Sequence, residues 1–257
     1  MFPIRDDNPH FLTPIVTYGL IAANVLAWAL LQGFGTEPSL SRSVCQLGLT
    51  PGELLQLASP GARVPISEGV VCIVTDMPSW FTPLTSMFMH GGWMHLIGNM
   101  WFLWIFGNNV EDSMGHARFL VFYLLCGFAA AAVQTLADPA SIIPMVGASG
   151  AIGGVMGAYV VLYPRVHVHM LVFLGFFVTT IAVPAVFMLG YWFVLQLLSG
   201  WLSNAAEGGV AFWAHVGGFV AGAVLVLLFR NPRLLDRHPY YGFRRGSPTR
   251  TWHRTRS

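Results

Sequence analysis

Lysine is absent from this chain, and charge of either sign is scarce: Asp, Glu and Arg together make up 9% of its 257 residues. A soluble domain carries about a quarter charged residues. With 55% of residues apolar and a mean hydropathy of +0.62, what is present cannot cover a water-facing surface. A bilayer must therefore solvate much of the molecule. Cysteine is rare too (Cys45, Cys72 and Cys126). Cys126 falls in an apolar run and reads as packing. Cys45 and Cys72 share one polar loop, where a disulfide is open if that loop faces outward, although the sequence says nothing of their distance. The first hydrophobic run lacks a small-residue cleavage site, so it reads as a retained helix and not as a signal peptide.

What positive charge there is lies mostly at one end. Eight of the arginines fall between Arg230 and Arg256, among Pro, Gly, Ser and Thr. This segment, residues 231–257, reads as a cytoplasmic tail that anchors topology. A basic tail this short does not suffice for nucleic-acid binding. Residues 1–13 form a short cytoplasmic segment, and 14–230 a single spanning domain with a long outer loop over 34–92. Apolar runs predict spans at about Pro14–Gly33, Trp93–Asn109, Arg118–Ala137, Ser149–Tyr163, Val183–Ser199 and Ala211–Phe229, with an amphipathic piece near Pro51–Leu57 in the loop. The expected fold is an all-α polytopic membrane protein, a bundle of six transmembrane helices. The apolar stretch Val166–Ile181 could be argued as a seventh span. Its Val-His-Val-His opening and the flanking Pro164 and Pro184 suit an extended interfacial segment better. Six spans also put Arg5, Arg118, Arg165 and the tail on one side, as the positive-inside bias requires.

Polar residues within spans are costly and therefore candidates for function. Three places qualify: His90-Gly-Gly-Trp-Met-His95-Leu-Ile-Gly-Asn99 entering the second span, Gly147-Ala148-Ser149-Gly150 opening the fourth, and Ala214-His215-Val-Gly-Gly218-Phe-Val-Ala-Gly222 opening the sixth. With six spans these helices run in the same direction, so His95, Ser149 and His215 lie at similar depth. His95 and Asn99, four apart, share one helix face. Gly150, Gly153, Gly154 and Gly157 on one helix, and Gly218, Ala221 and Gly222 on the other, allow close approach in lipid. A serine becomes a nucleophile when a neighbouring base takes its proton, and histidine has the pKa range for that. The oxyanion formed on attack needs donors. Backbone N–H groups at the helix N-terminus of Ser149 supply some, and His95 and Asn99 others. No acidic residue lies near His215 in depth, so a Ser149–His215 dyad without aspartate is expected. From Ser149 to Pro164 is about fifteen residues, or roughly 22 Å, which leaves Ser149 roughly 8 Å below the outer face of a ~30 Å hydrocarbon layer. Water must reach it through a polar cavity.

Taken together, these motifs resemble the rhomboid family of intramembrane serine proteases, over roughly residues 80 to 230. Gly147-Ala148-Ser149-Gly150 is similar to its nucleophile motif, Ala214-His215-x-x-Gly218-x-x-x-Gly222 to its base-bearing helix, and His90, His95 and Asn99 to its second-helix pattern. Glu111-x-x-x-Gly115-x-x-Arg118 resembles the turn after that helix, with Glu111 and Arg118 in structural roles. The resemblance implies a serine endopeptidase of the bacterial inner-membrane type with cytoplasmic termini and a site opening to the other side. Oxyanion and substrate binding fall to His95, Asn99, Ala148 and His90, although His90 on its own reads equally as a brace for the outer loop. It implies a cap at about Trp201–Phe212 and a mobile fifth helix. Expected partners are single-span membrane-protein substrates, the lipid bilayer and, weakly, further copies of the chain; no cofactor or metal is called for. One departure is Gly153, where many members carry an aromatic that stacks on the base.

Three rival classes remain. A client-binding relative commonly lacks the serine or the histidine, and both are here. A transporter or channel would favour acidic residues in spans or inverted repeats, which are missing. A metal-dependent protease using His90, His95 and His215 would lack a His-Glu-x-x-His pairing and a supporting carboxylate.

Overall fold

The computed structural model describes residues 2–67, 69–175, 177–202 and 210–242. A short strand, β1 (Phe2–Asp6), leads into an apolar helix, α1 (Ile15–Leu30). A long excursion follows, holding α2 (Ser39–Leu47), α3 (Pro51–Leu54), a hairpin of β2 (Arg63–Ser67) and β3 (Val70–Ile73), and α4 (Thr82–Thr85). Long helices then dominate: α5 (Trp93–Met114), α6 (His116–Ala137) and α7 (Ser149–Leu162). After a second hairpin, β4 (His167–Leu174) and β5 (Phe177–Pro184), come α8 (Ala185–Leu202) and α9 (Phe212–Phe229), then the short α10 (Pro232–Arg237) and α11 (Pro239–Gly242). Among the described residues α6, α8 and α9 are long and apolar enough to cross a membrane; α1 and α7 are apolar but shorter.

α7 is the central helix. Every residue from Gly150 to Tyr159 is buried, as expected of a helix that is apolar on all sides. Its tightest partner is α9. A Cβ added at Gly218 would overlap the carbonyl oxygen of Gly150, one at Gly222 that of Gly154, and one at Gly157 that of Phe219. The two backbones touch because these positions have no side chains. Cys126 of α6 is buried against Gly154, a packing role.

The predominance of apolar helices is as read from sequence, with two small sheets added to it. The ambiguous 166–181 stretch is extended: β4 pairs antiparallel with β5 on one side and β1 on the other. The alternation explains the choice, since Val168, Met170 and Val172 are buried in the core while His167 points outward. His169 is half-buried and pairs with Asp7 at 2.8 Å. α5 is longer than predicted and runs through Glu111 and Asp112 to Met114. The turn after it shrinks to Gly115, whose φ of +81° is natural only for glycine. In the long loop, Cys45 and Cys72 form a disulfide that ties α2 to β3.

Candidate active site

Ser149 is the first residue of α7. The chain reaching it is pinned by the long loop. Leu49 and Met145 exchange backbone hydrogen bonds of 2.9 and 2.8 Å, and the Gly147 N–H donates to the Ser86 carbonyl at 2.9 Å. Gly147 has φ +129°, and a Cβ there would sit 2.7 Å from His95 Nε2. Only glycine admits both the conformation and the neighbour, and this turn presents Ser149 with the unpaired N–H groups of the first helical turn.

His215 lies in the first turn of α9, whose Ala214 N–H donates both to the Ala211 carbonyl at 3.1 Å and to Gln134 Oε1 of α6 at 3.2 Å. The glycine contacts of α7 and α9 bring His215 Nε2 to 2.8 Å from Ser149 Oγ. On its other side, His215 Nδ1 is 2.7 Å from Gln196 Oε1 of α8. An amide oxygen accepts only, so Nδ1 carries the hydrogen and Nε2 is left to accept the serine hydroxyl.

His95 and Asn99 project from the first turns of α5 toward the same place. His95 Nδ1 accepts the Gly91 N–H at 3.3 Å, which leaves the proton on Nε2, and that atom lies against Gly147, two residues before the serine. Asn99 is buried, and its Nδ2 has no partner among the described residues. Both line a cavity of about 900 Å³ together with Ser149, His215, Gly147 and Trp192. Two of the four residues expected in oxyanion and substrate binding are not in it. Ala148 is buried in the core, its carbonyl accepting the Ile152 N–H. His90 is wholly buried behind His95, ring centroids 5.1 Å apart, with its backbone clamped to the Gln32 amide by two 2.8 Å hydrogen bonds. It does not reach the cavity, so the expectation of a substrate contact at His90 gives way to the brace.

Residues 78–232, more than half of the chain, match the family model described as the rhomboid domain. The chain belongs to the rhomboid family. It is similar to Rhomboid-like protein 11, chloroplastic, of Arabidopsis thaliana, with 32% identity over 161 residues, 60% of this chain and 54% of that relative. It is also similar to Rhomboid-like protease 5 of Toxoplasma gondii, with 30% identity over 188 residues, 71% of this chain and 20% of that protein. RHOMBOID-like protein 1 of Arabidopsis thaliana is 25% identical over 237 residues, 90% of this chain and 55% of the relative. The chain thus spans about half the length, or less, of these relatives. Rhomboid membership and the apolar helices make this a multi-pass membrane protein.

Other rhomboid-pattern residues fall as follows. Glu111 is fully buried and accepts from the Val16 and Thr17 N–H groups and the Thr17 hydroxyl, capping α1; its remaining partner is His116 Nδ1 at 2.6 Å. Arg118, expected to be structural, is exposed and makes no hydrogen bond or ion pair among the described residues. Gly153 packs against the α9 backbone, where an added Cβ would lie 3.1 Å from the His215 carbonyl oxygen. A side chain there would crowd the α9 backbone; the aromatic ring beside His215 is that of Trp192 on α8, 5.8 Å away and inclined by 35°. Most of the expected cap lies outside the described residues, as does the tail beyond residue 242. Sequence reasoning missed Gln134, Trp192 and Gln196. The glutamines carried a usable signal, a polar side chain in an apolar helix.

Proposed function

We propose that this protein is an intramembrane serine endopeptidase that hydrolyses peptide bonds in or beside the transmembrane segments of single-span membrane proteins. The observation that carries the reading is the 2.8 Å contact of Ser149 Oγ with His215 Nε2 between glycine-packed apolar helices. As Oγ attacks the scissile carbonyl carbon, its proton passes to Nε2. The negative charge on the carbonyl oxygen is met by the Ser149 N–H at the α7 N-terminus, by His95 Nε2–H and by Asn99 Nδ2. The imidazolium then protonates the departing amine, and the acyl–serine ester is hydrolysed by water with His215 again as base.

The reading takes α1 and α5 through α9 as six spans with both termini cytoplasmic, supported by Arg5, Arg118, Arg165, Arg230, Arg233 and Arg237 sharing one side. α7 has 14 residues, about 21 Å of rise, less than a ~30 Å hydrocarbon layer. Ser149 is then submerged below the outer surface, and the 900 Å³ cavity is its source of water. The test is cleavage of a single-span reporter protein in liposomes. Wild type should cleave it, while Ser149→Ala and His215→Ala should fold, insert and leave it intact. An uncut reporter, together with a fluorophosphonate probe that fails to label Ser149, would sink the protease reading in favour of client binding.

A further inference from the structure

We propose that Gln196 is a positioning residue for the base: with Trp192 it moves the support of His215 onto α8, in place of the missing aromatic on α7. The inference rests on Ser149 and His215 acting as nucleophile and base. A dyad without aspartate leaves open what holds the imidazole. A histidine that swivels, or that carries its hydrogen on Nε2, cannot accept the serine proton. Gln196 Oε1 at 2.7 Å from Nδ1 answers both needs, because it accepts the Nδ1 hydrogen and fixes the ring plane. Trp192, four residues earlier on the same helix face, lies beside the ring at 5.8 Å.

The partner is neutral, which matters inside a bilayer. A buried carboxylate would carry a large desolvation cost, whereas an amide oxygen orients the ring with no net charge. The other groups around His215 are Ser149 from α7 and the titratable His95 from α5, while Gln134 of α6 accepts the neighbouring Ala214 N–H. α8 itself is buried only at Ala185, Met188, Leu189 and Gly200 among its described positions. The base is therefore held by a helix that is largely exposed, not by the packed α7–α9 pair.

The experiment compares Gln196→Leu and Gln196→Glu with wild type and Ser149→Ala, reading kcat, KM and the pH profile of reporter cleavage, the rate of fluorophosphonate labelling at Ser149, and thermal unfolding. Gln196→Leu should keep its unfolding temperature and KM while kcat and labelling fall about 10- to 100-fold, less than the ~10²–10⁴ of a whole general base. Gln196→Glu keeps an acceptor, so it should recover most of the rate. Its carboxylate should also favour the imidazolium and move the acidic limb of the profile to higher pH. A well-folded Gln196→Leu with wild-type kcat and labelling, while Ser149→Ala is dead, overturns the proposal and leaves the dyad standing. Equal losses in both variants with an unmoved acidic limb also overturn it, showing packing alone. If wild type neither cleaves nor labels, the dyad reading fails and this inference with it.

Discussion

Asn99 illustrates how a buried polar atom can be read. Its Nδ2 is enclosed and has no partner among the described residues, an arrangement that costs roughly 1–3 kcal/mol. That cost makes sense if the donor is kept for a charge that exists only during reaction. Asn99→Ala should therefore lower kcat by about 10²- to 10³-fold at most, since the Ser149 N–H and His95 Nε2 remain, with KM little changed. Steady-state cleavage of the reporter separates the two constants. A large rise in KM at constant kcat would instead mark Asn99 as a ground-state substrate contact.

At the scale of elements, the distance between nucleophile and base is set by helix packing. Gly218 lies against the Gly150 carbonyl, one turn from His215 on α9 and beside Ser149 on α7. Gly218→Ala should force the helices apart, destabilising the bundle by about 1–3 kcal/mol or more and reducing cleavage sharply, because 2.8 Å is a distance that tolerates little change. Gly190→Ala is the control. Nothing lies within 4 Å of a Cβ at that α8 position, so unfolding temperature and activity should stay near wild type. Thermal unfolding in detergent and reporter cleavage check both. If Gly218→Ala behaves like Gly190→Ala, the close approach is not what positions the dyad.

For the whole molecule, the end of the bundle opposite the site holds, outside the spans, a pair of titratable groups, Asp6 and His238, that respond to acid in opposite senses. Asp6 of β1 accepts from Tyr159 of α7 and Asn109 of α5. Burial pushes its carboxyl from 3.8 up to about 6, outweighing those hydrogen bonds. Folding thus favours protonated Asp6: its contribution is full below about pH 4 and is lost as pH rises through about 6. His238, packed against Tyr163 and Phe11, is pushed by burial from 6.5 down to about 4. Folding favours its neutral form, so that contribution is full above pH 6.5 and is lost as pH falls toward 4. The two partly cancel in the wild type. Asp6→Asn should remove the contribution that opposes the histidine, giving a steeper fall in unfolding temperature between pH 6.5 and 4 than wild type shows. Identical pH profiles for the two proteins would mean that Asp6 carries no such shift.

The membrane bundle, the helix starts at Trp93 and Ser149, the last helix start to within one residue, and the grouping of His95, Asn99, Ser149 and His215 were legible in sequence, because each rests on local chemistry. Apolar run length marks a span, small residues at helical spacing mark a contact face, and a polar residue in such a run stands out by its cost. The extended 166–181 segment was legible for the same reason, through its alternation. Tertiary structure alone decided what those residues touch. Which face of α8 meets α9 made Gln196 and Trp192 the supports of His215, and that choice depends on packing between helices distant in sequence. Likewise His90 went behind the site and not into it, Arg118 was left exposed while Glu111 capped α1, and Cys45 met Cys72. These outcomes depend on the path of the long loop and the rotation of each helix about its axis, neither of which is encoded by spacing within one segment.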